Sequence, residues 1–408
     1  MKPKILLVGY NGANNTGAEA KLLVTINEIR SVIGSEACIT VPSLNETNLR
    51  RYLQEGPNLK IKSVRPSLFF VDVYNLVRQN DLIMLVEGSC YMDTWASSLL
   101  WCYLLATRFA HSMKKPCIAY SVDAGSASRF NRWLIRREAS KTNLILSRTS
   151  QAGERLRKWG VTAPIEVTAD NAFAFNPKLE DEGLLKRVWP EASNVVGIAA
   201  EDTYVWPVHV RLWAQKKYCY RWPYYYSHSN TCLEKSELLA DVLAVQADEI
   251  IEDYDKEVAL LSMEGLDSAF VNKVQCLMKH ADRTKVFTSS QYNASQMTSI
   301  LRSLELLITS RYHAGVLSLP NGVPQTAIGH DLRIKDLYSD LDISELFVDH
   351  EDPNRYWALS NHVETLFSQY NAIKSKLQKG FKLYKAREER NPKLFRAFLE
   401  EHYPEWLD

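Results

Sequence analysis

Short apolar runs recur along this chain, each closing on a polar tip and each followed by a segment of helical period. Residues 4–8, 81–86, 116–122, 143–146 and 165–168 form a first series, and residues 194–200, 257–262, 285–287, 306–308 and 325–328 a second. Runs that are apolar throughout, rather than alternating, predict strands buried on both faces, as in a parallel sheet covered by helices. The segments between them predict helices over 18–33, from Ser150 as N-cap to Gly160, over 294–303, and over most of 357–408. Strand and helix alternating at a steady pace predict two open α/β domains.

The two series place one domain at 1–178 and another at 191–375, followed by a helical segment at 376–408, which by analogy with other two-domain α/β proteins would pack back on the first. Residues 176–190, Pro-punctuated and carrying Glu180-Asp181-Glu182, read as the linker. A length of 408 residues suits this division. One block interrupts the second domain. Residues 203–232 gather Trp206, Trp213, Tyr220, Trp222 and Tyr224 with Arg211, Lys216, Lys217 and Arg221. Such rings stack on sugars or fill interfaces, and both uses fit here.

In a parallel α/β sheet, ligands collect at the carboxyl ends of strands, beside helix N-termini whose free N–H groups favour anions. The richest tip lies in 304–331. An apolar run ends in Thr309-Ser310-Arg311-Tyr312-His313, a short small-residue helix follows, Asn321-Gly322 stops it, and a second run ends in Gly329-His330-Asp331. Arg311 offers a planar fork for a carboxylate or phosphate, and His313 can hold or give a proton near neutral pH. Arg148 occupies the matching position in the first series. The turn from Gly9 to Gly17, with Gly12 and Asn14, has neither the Gly-x-Gly-x-x-Gly spacing nor a following Gly-Lys-Ser/Thr. It therefore reads as a ligand-facing loop or a plain tight turn, not as a dinucleotide site or P-loop.

Composition acts mainly by exclusion. A formal net charge of +1 carries no nucleic-acid footprint. Seven cysteines without a Cys-x-x-Cys pair point to a reducing compartment rather than a disulfide framework or zinc knuckle. No window approaches the roughly 20 apolar residues of a membrane span, and the first apolar run is too short for a signal-peptide core. The cytoplasm is the expected location. Lys- and Arg-rich residues 374–396 read as a solvated helical face, or as a basic face for the inner membrane surface. No cluster of metal ligands is apparent.

Several segments together resemble the polysaccharide pyruvyl transferases. They are the opening strand with Gly9 to Glu19, Val86-Glu87-Gly88-Ser89, Ser147-Arg148-Thr149-Ser150 with Gly160-Val161, and residues 168–173. The others are Ser310-Arg311-Tyr312-His313-Ala314, Gly322-Val323-Pro324, and His330-Asp331 with Lys335. Relatives carry Leu at Tyr312, an acid at Ala18, Asp at Thr149, and a glycine run at Glu87-Gly88-Ser89. They read Tyr-Asp-Pro-Lys where this chain has His330-Asp331-Leu332-Arg333. The resemblance implies two Rossmann-like domains facing a cleft, in the GT-B-like manner of two-domain glycosyltransferases. It implies phosphoenolpyruvate as donor and, as acceptor, a sugar or lipid-linked oligosaccharide of a cell-surface polysaccharide precursor. The product is a pyruvate ketal, with no cofactor or metal. Arg311 and Arg148 are then expected to hold the donor's two anionic ends, His313 to act on a proton, and Glu264 or Asp331 to take one from a hydroxyl. Gly12, Asn14, Glu87, Gly88, Ser89 and Lys335 complete the expected substrate contacts. A nucleotide-sugar glycosyltransferase and a non-catalytic glycan binder fit the same pattern.

Overall fold

The computed structural model describes residues 2–407. Seven parallel strands form the first sheet: β1 (Lys4–Val8), β2 (Cys38–Ser43), β3 (Leu59–Ser63), β4 (Leu82–Leu85), β5 (Cys117–Val122), β6 (Leu144–Ser147) and β7 (Ile165–Val167). Their order is β3-β2-β1-β4-β5-β6-β7. β8 (Val196–Ala199) opens the second sheet. The chain then forms a small antiparallel sheet from β9 (His209–Val210), β10 (Cys219–Arg221) and β11 (Tyr224–Tyr225). It returns with β12 (Val258–Ser262), β13 (Thr284–Thr288), β14 (Leu306–Thr309), β15 (Gln325–Gly329) and β16 (Phe347–Asp349), in the order β13-β12-β8-β14-β15-β16. Both large sheets thus follow the doubly wound Rossmann pattern.

The all-apolar runs became strands because every residue of β4, β5, β12 and β14 is buried. β2 was not anticipated because Pro42 lies within it, and β3 because it alternates buried and exposed with Lys60 and Lys62 outward. Thr149, not Ser150, caps the helix Ser150–Lys158. Its extended backbone lets its side chain accept from the Ala152 amide.

Residues 176–190 are docked on the second domain rather than free. The Asp181 carboxylate accepts from Ser295, and Leu184, Leu185 and Trp189 enter the second-domain core. The boundary expected at 375/376 falls inside the helix Tyr370–Glu388. That helix stacks Tyr384 on Phe173 at 4.6 Å. The following helix, Arg390–His402, buries Phe395 and Leu399 against the first sheet, while Asn391 donates to the Ala169 carbonyl at 3.1 Å. The C-terminus therefore fastens the two domains together.

The helix Thr16–Ile33 begins on the seam between the domains, where the Thr16 amide donates to the Met263 carbonyl at 2.9 Å. Glu19, buried in its first turn, has one carboxylate oxygen without a hydrogen-bond partner among the described residues. Burial pushes its pKa up to about 8, against the pull of Arg51 and the Ala294 amide. The folded protein thus keeps a proton on Glu19 that the unfolded chain releases above about pH 4.5. Stability falls as pH rises between those two values. Glu19→Gln is expected to flatten this slope, gaining roughly 2–4 kcal/mol over the parent near pH 8 and little near pH 5. Urea unfolding at both pH values measures it; a gain equal at both would mean that the Glu19 proton is not involved.

Candidate active site

Strand order reverses between β1 and β4 in the first sheet and between β8 and β14 in the second. At such points the connections leave in opposite directions and open a crevice at the strand ends. Residues from both crevices line one cavity of about 180 Å³. Tyr10, Asn15, Glu87 and Ser89 come from the first domain, and Glu264, Arg311, His313 and Arg333 from the second.

Arg311 leaves β14 as the residue before the short helix Tyr312–Ser318. Its guanidinium grips Asp267 with Nε at 3.0 Å from Oδ2 and Nη2 on Oδ1. Glu201 and Glu264 each approach it to 3.3 Å. Burial disfavours its charge, but Asp267, Glu201 and Glu264 outweigh burial and keep it protonated. Burial pushes all three carboxyls up, against Arg311; Glu201 reaches about 8. Glu264 is held by Tyr10 Oη at 3.0 Å and by Asn15 Nδ2 at 2.9 Å, both from the opposite domain. Glu87 accepts from the Tyr10 amide at 3.4 Å and the Ser89 hydroxyl at 3.3 Å.

His313 packs against the backbone of Gly17, where a Cβ would sit 2.6 Å from the His313 Cβ and inside its ring. Its Nε2 is buried, 3.4 Å from Asp170 Oδ2, and has no well-aligned hydrogen-bond partner among the described residues. Burial lowers its pKa, although Asp170 pulls the other way, so the ring is neutral at neutral pH. Asp170 itself is a shared anchor. Lys21 Nζ reaches it at 3.2 Å and Arg148 Nη1 at 2.5 Å, and all three are fully buried.

The aromatic block roofs this cleft. Val208 donates its amide to the Trp95 carbonyl at 2.9 Å, Arg221 reaches the Leu44 carbonyl at 2.7 Å, and Tyr220 bonds Tyr10. Trp206, Tyr220, Arg221 and Tyr224 line the cavity, whereas Trp213 stands outside, 87% exposed.

Several expected contacts lie elsewhere. Arg148 does not line the cavity: it is fully buried between Asp123 and Asp170, with its guanidinium 4.1 Å from the Tyr312 ring centre. Gly88 covers it, since a Cβ there would stand 3.0 Å from the Arg148 Cζ. Gly12 turns with a φ of +83° against Asn45, away from the cavity. Asn14 accepts from Arg51 at the domain seam. Asp331 caps the helix Leu332–Asp340 and holds Arg333 through Nε at 2.8 Å. Lys335 points outward, over Phe347 at 5.2 Å. The cation supplied by this segment is Arg333, where relatives carry lysine. Glu201 and Tyr10 were also missed, and Asp170 was placed at a strand end but not in the site, although each lies within three residues of a strand end, the same signal that exposed Glu264.

Two Rossmann-like domains with their switch points meeting at one cavity define a GT-B-like fold. The chain belongs to the polysaccharide pyruvyl transferase family, whose sequence model matches residues 15–331. Its shape is similar to S. aureus MnaA solved with UDP, at TM-score 0.66 and 10% identity, over 98% of this chain and 97% of that one. It is similar to the UDP-N-acetylglucosamine 2-epimerase from Rickettsia bellii, at TM-score 0.62 and 11% identity, over 99% of both chains. The UDP-GlcNAc 2-epimerase from Neisseria meningitidis, bound to UDP-GlcNAc, gives TM-score 0.61 and 11% identity, over 96% of this chain and 100% of that one. Such identities concern the fold alone. None of the curated proteins matches the chain.

Proposed function

We propose that this protein moves the pyruvyl group of phosphoenolpyruvate onto a sugar of a cell-surface polysaccharide precursor, forming a ketal. The observation that supports this most is the grouping on one cavity of two arginines, Arg311 and Arg333, with the imidazole of His313. The donor is a small molecule with a carboxylate and a phosphate, and guanidinium groups suit both. The Nε–Nη2 edges of Arg311 and Arg333 are taken by Asp267 and Asp331, so the donor meets their Nη1 ends. Its negative charge beside His313 raises the proton affinity of the ring. The imidazolium then protonates the methylene carbon, which becomes the methyl group. An acceptor hydroxyl oxygen bonds to C2 and its proton passes to Glu264. Phosphate leaves with the electrons of its C2–O bond. A second hydroxyl of the same sugar adds to C2 and releases its proton, closing the ketal. Asp170, 3.4 Å from His313 Nε2, stabilises the imidazolium electrostatically, and Arg148 acts only through Asp170.

Mass spectrometry of sugar or lipid-linked oligosaccharide acceptors incubated with protein and phosphoenolpyruvate tests the reaction, which adds one pyruvyl group to the acceptor. Phosphoenolpyruvate is expected to raise the melting temperature, because a ligand of the native state stabilises it. Arg311→Lys should weaken donor binding about 10-fold or more, because lysine cannot hold Asp267 and the donor together. Equal shifts in the two proteins would remove Arg311 from the donor site. A shift with a nucleotide sugar instead of phosphoenolpyruvate would favour glycosyl transfer, and a shift with an oligosaccharide alone would favour glycan binding.

A further inference from the structure

Three consecutive helices of the first domain, Phe69–Gln79, Ser97–Ser112 and Arg129–Ala139, lie side by side on one face of its sheet. Their inner residues, among them Val73, Leu100, Tyr103 and Ile135, pack on the strands. Surface helices normally turn polar residues outward. These turn out Phe70 at 48% exposure, Trp101 at 38%, Phe130 at 60% and Trp133 at 51%, with Tyr74 beside them. Scattered exposed apolar residues are ordinary; a set spread over three adjoining helices marks an interaction surface.

The charge on these helices is one-sided. Arg78, Arg108, Arg129, Arg132, Arg136 and Arg137 are all exposed, in a chain of net charge +1. The acids are Asp72, bound by Arg65, and Glu138, buried against Arg108, Arg137 and Lys141. Rings and arginines are interleaved. Phe130 stacks on Trp133 at 6.0 Å, and the Arg137 guanidinium lies 5.6 Å over the Trp133 ring. Trp101 Nε1 donates to Asn131 at 2.9 Å, which ties the second helix to the third.

We propose that this three-helix face docks on an anionic membrane surface. Aromatic rings settle at the headgroup level of a bilayer, and arginines there meet lipid phosphates. No helix among the described residues is long and apolar enough to cross a membrane, so contact is at the surface of the bilayer. The active-site cavity supports the same orientation. Phe69, Val73 and Leu76 of the first helix and Leu99 and Cys102 of the second form its apolar wall, so docking brings that wall beside the lipid. The C-terminal basic stretch is a poorer candidate, because among the described residues it exposes no aromatic ring, and Lys376, Lys385, Arg387 and Arg390 are engaged with Asp342, Glu388, Asp340 and Glu166.

Vesicle flotation of the full chain tests this independently of donor chemistry. Binding is expected to vesicles of phosphatidylcholine with added phosphatidylglycerol, not to phosphatidylcholine alone, and to weaken with salt. Arg129→Gln and Arg136→Gln should each lower partition roughly fivefold. The pair Phe130→Ser and Trp133→Ser should abolish binding without lowering the melting temperature, since both side chains are at the surface. Lys374→Gln and Lys379→Gln on the C-terminal helix should leave binding intact. Absence of binding to phosphatidylglycerol vesicles overturns the proposal, as does binding that survives the aromatic pair or is lost with the lysines. So does an aromatic pair that turns a dimer into monomers in sedimentation velocity, which would make the face a contact between copies.

Discussion

Gly17→Ala is expected to lose turnover by about 10²–10⁴-fold, as much as His313→Ala, while the protein stays folded. The added methyl would occupy the place of the His313 ring, 2.6 Å from its Cβ. The opposing atoms are Nδ1, Cγ and Cβ of His313; turning the ring clears the first two but not Cβ, so the ring leaves its position beside Asp170 and the helix Tyr312–Ser318 shifts as well. The dihedral angles at Gly17 suit alanine, so the cost falls on the contact with the facing helix. Gly17 lies in the first turn of the helix Thr16–Ile33, and in a helix alanine is favoured over glycine by roughly 0.5–1 kcal/mol. Pyruvyl-transfer rates with melting curves separate the two effects. The double variant should be no slower than either single one, because both remove the same group. Full activity in Gly17→Ala, or losses that multiply in the double variant, would separate Gly17 from His313 in the mechanism.

Arg148→Met is expected to destabilise the fold by about 3–5 kcal/mol without specific loss of donor binding. Its guanidinium is fully buried, with Nε 2.7 Å from Asp123 and Nη1 2.5 Å from Asp170. Removing it leaves Asp123 with the Ala124 amide at 2.8 Å and the distant Arg155 at 3.7 Å, and leaves Asp170 with Lys21, the Ala172 amide and the His313 ring. Burial works to raise the pKa of Asp170, yet Lys21 and Arg148 hold it well below the usual carboxylate range. A depressed pKa contributes stability above the unfolded value of about 3.9 that is lost as pH falls through the folded one. The defect should therefore be largest at neutral pH and shrink towards acid. Urea unfolding across pH measures this, and Arg148→Lys, which keeps the charge, should fall between parent and Met. Normal stability with a lost phosphoenolpyruvate melting shift would return Arg148 to the donor.

These expectations rest on a division visible in particular residues. The parallel strands were legible because burial on both faces leaves no polar position in them, and a run such as Leu82–Leu85 says so locally. Arg311, His313 and Glu264 were legible because strand tips are where side chains of this fold meet ligands. β2 and the roof over the cleft were not. Pro42 contradicts the local rule for a strand, and the strands of the roof are two or three residues long.

Arg148 and Arg311 show the limit most clearly. Each is an arginine after Ser at the end of a buried strand, just ahead of a helix. Chain order and residue type determined that there would be two doubly wound domains and that both arginines would stand at strand ends. Only the tertiary structure decided that one lines the cavity while Gly88, Tyr312 and two aspartates enclose the other. Local pattern sets the direction in which a strand ends. What lies beyond that end comes from segments far away in sequence, and packing alone brings them there.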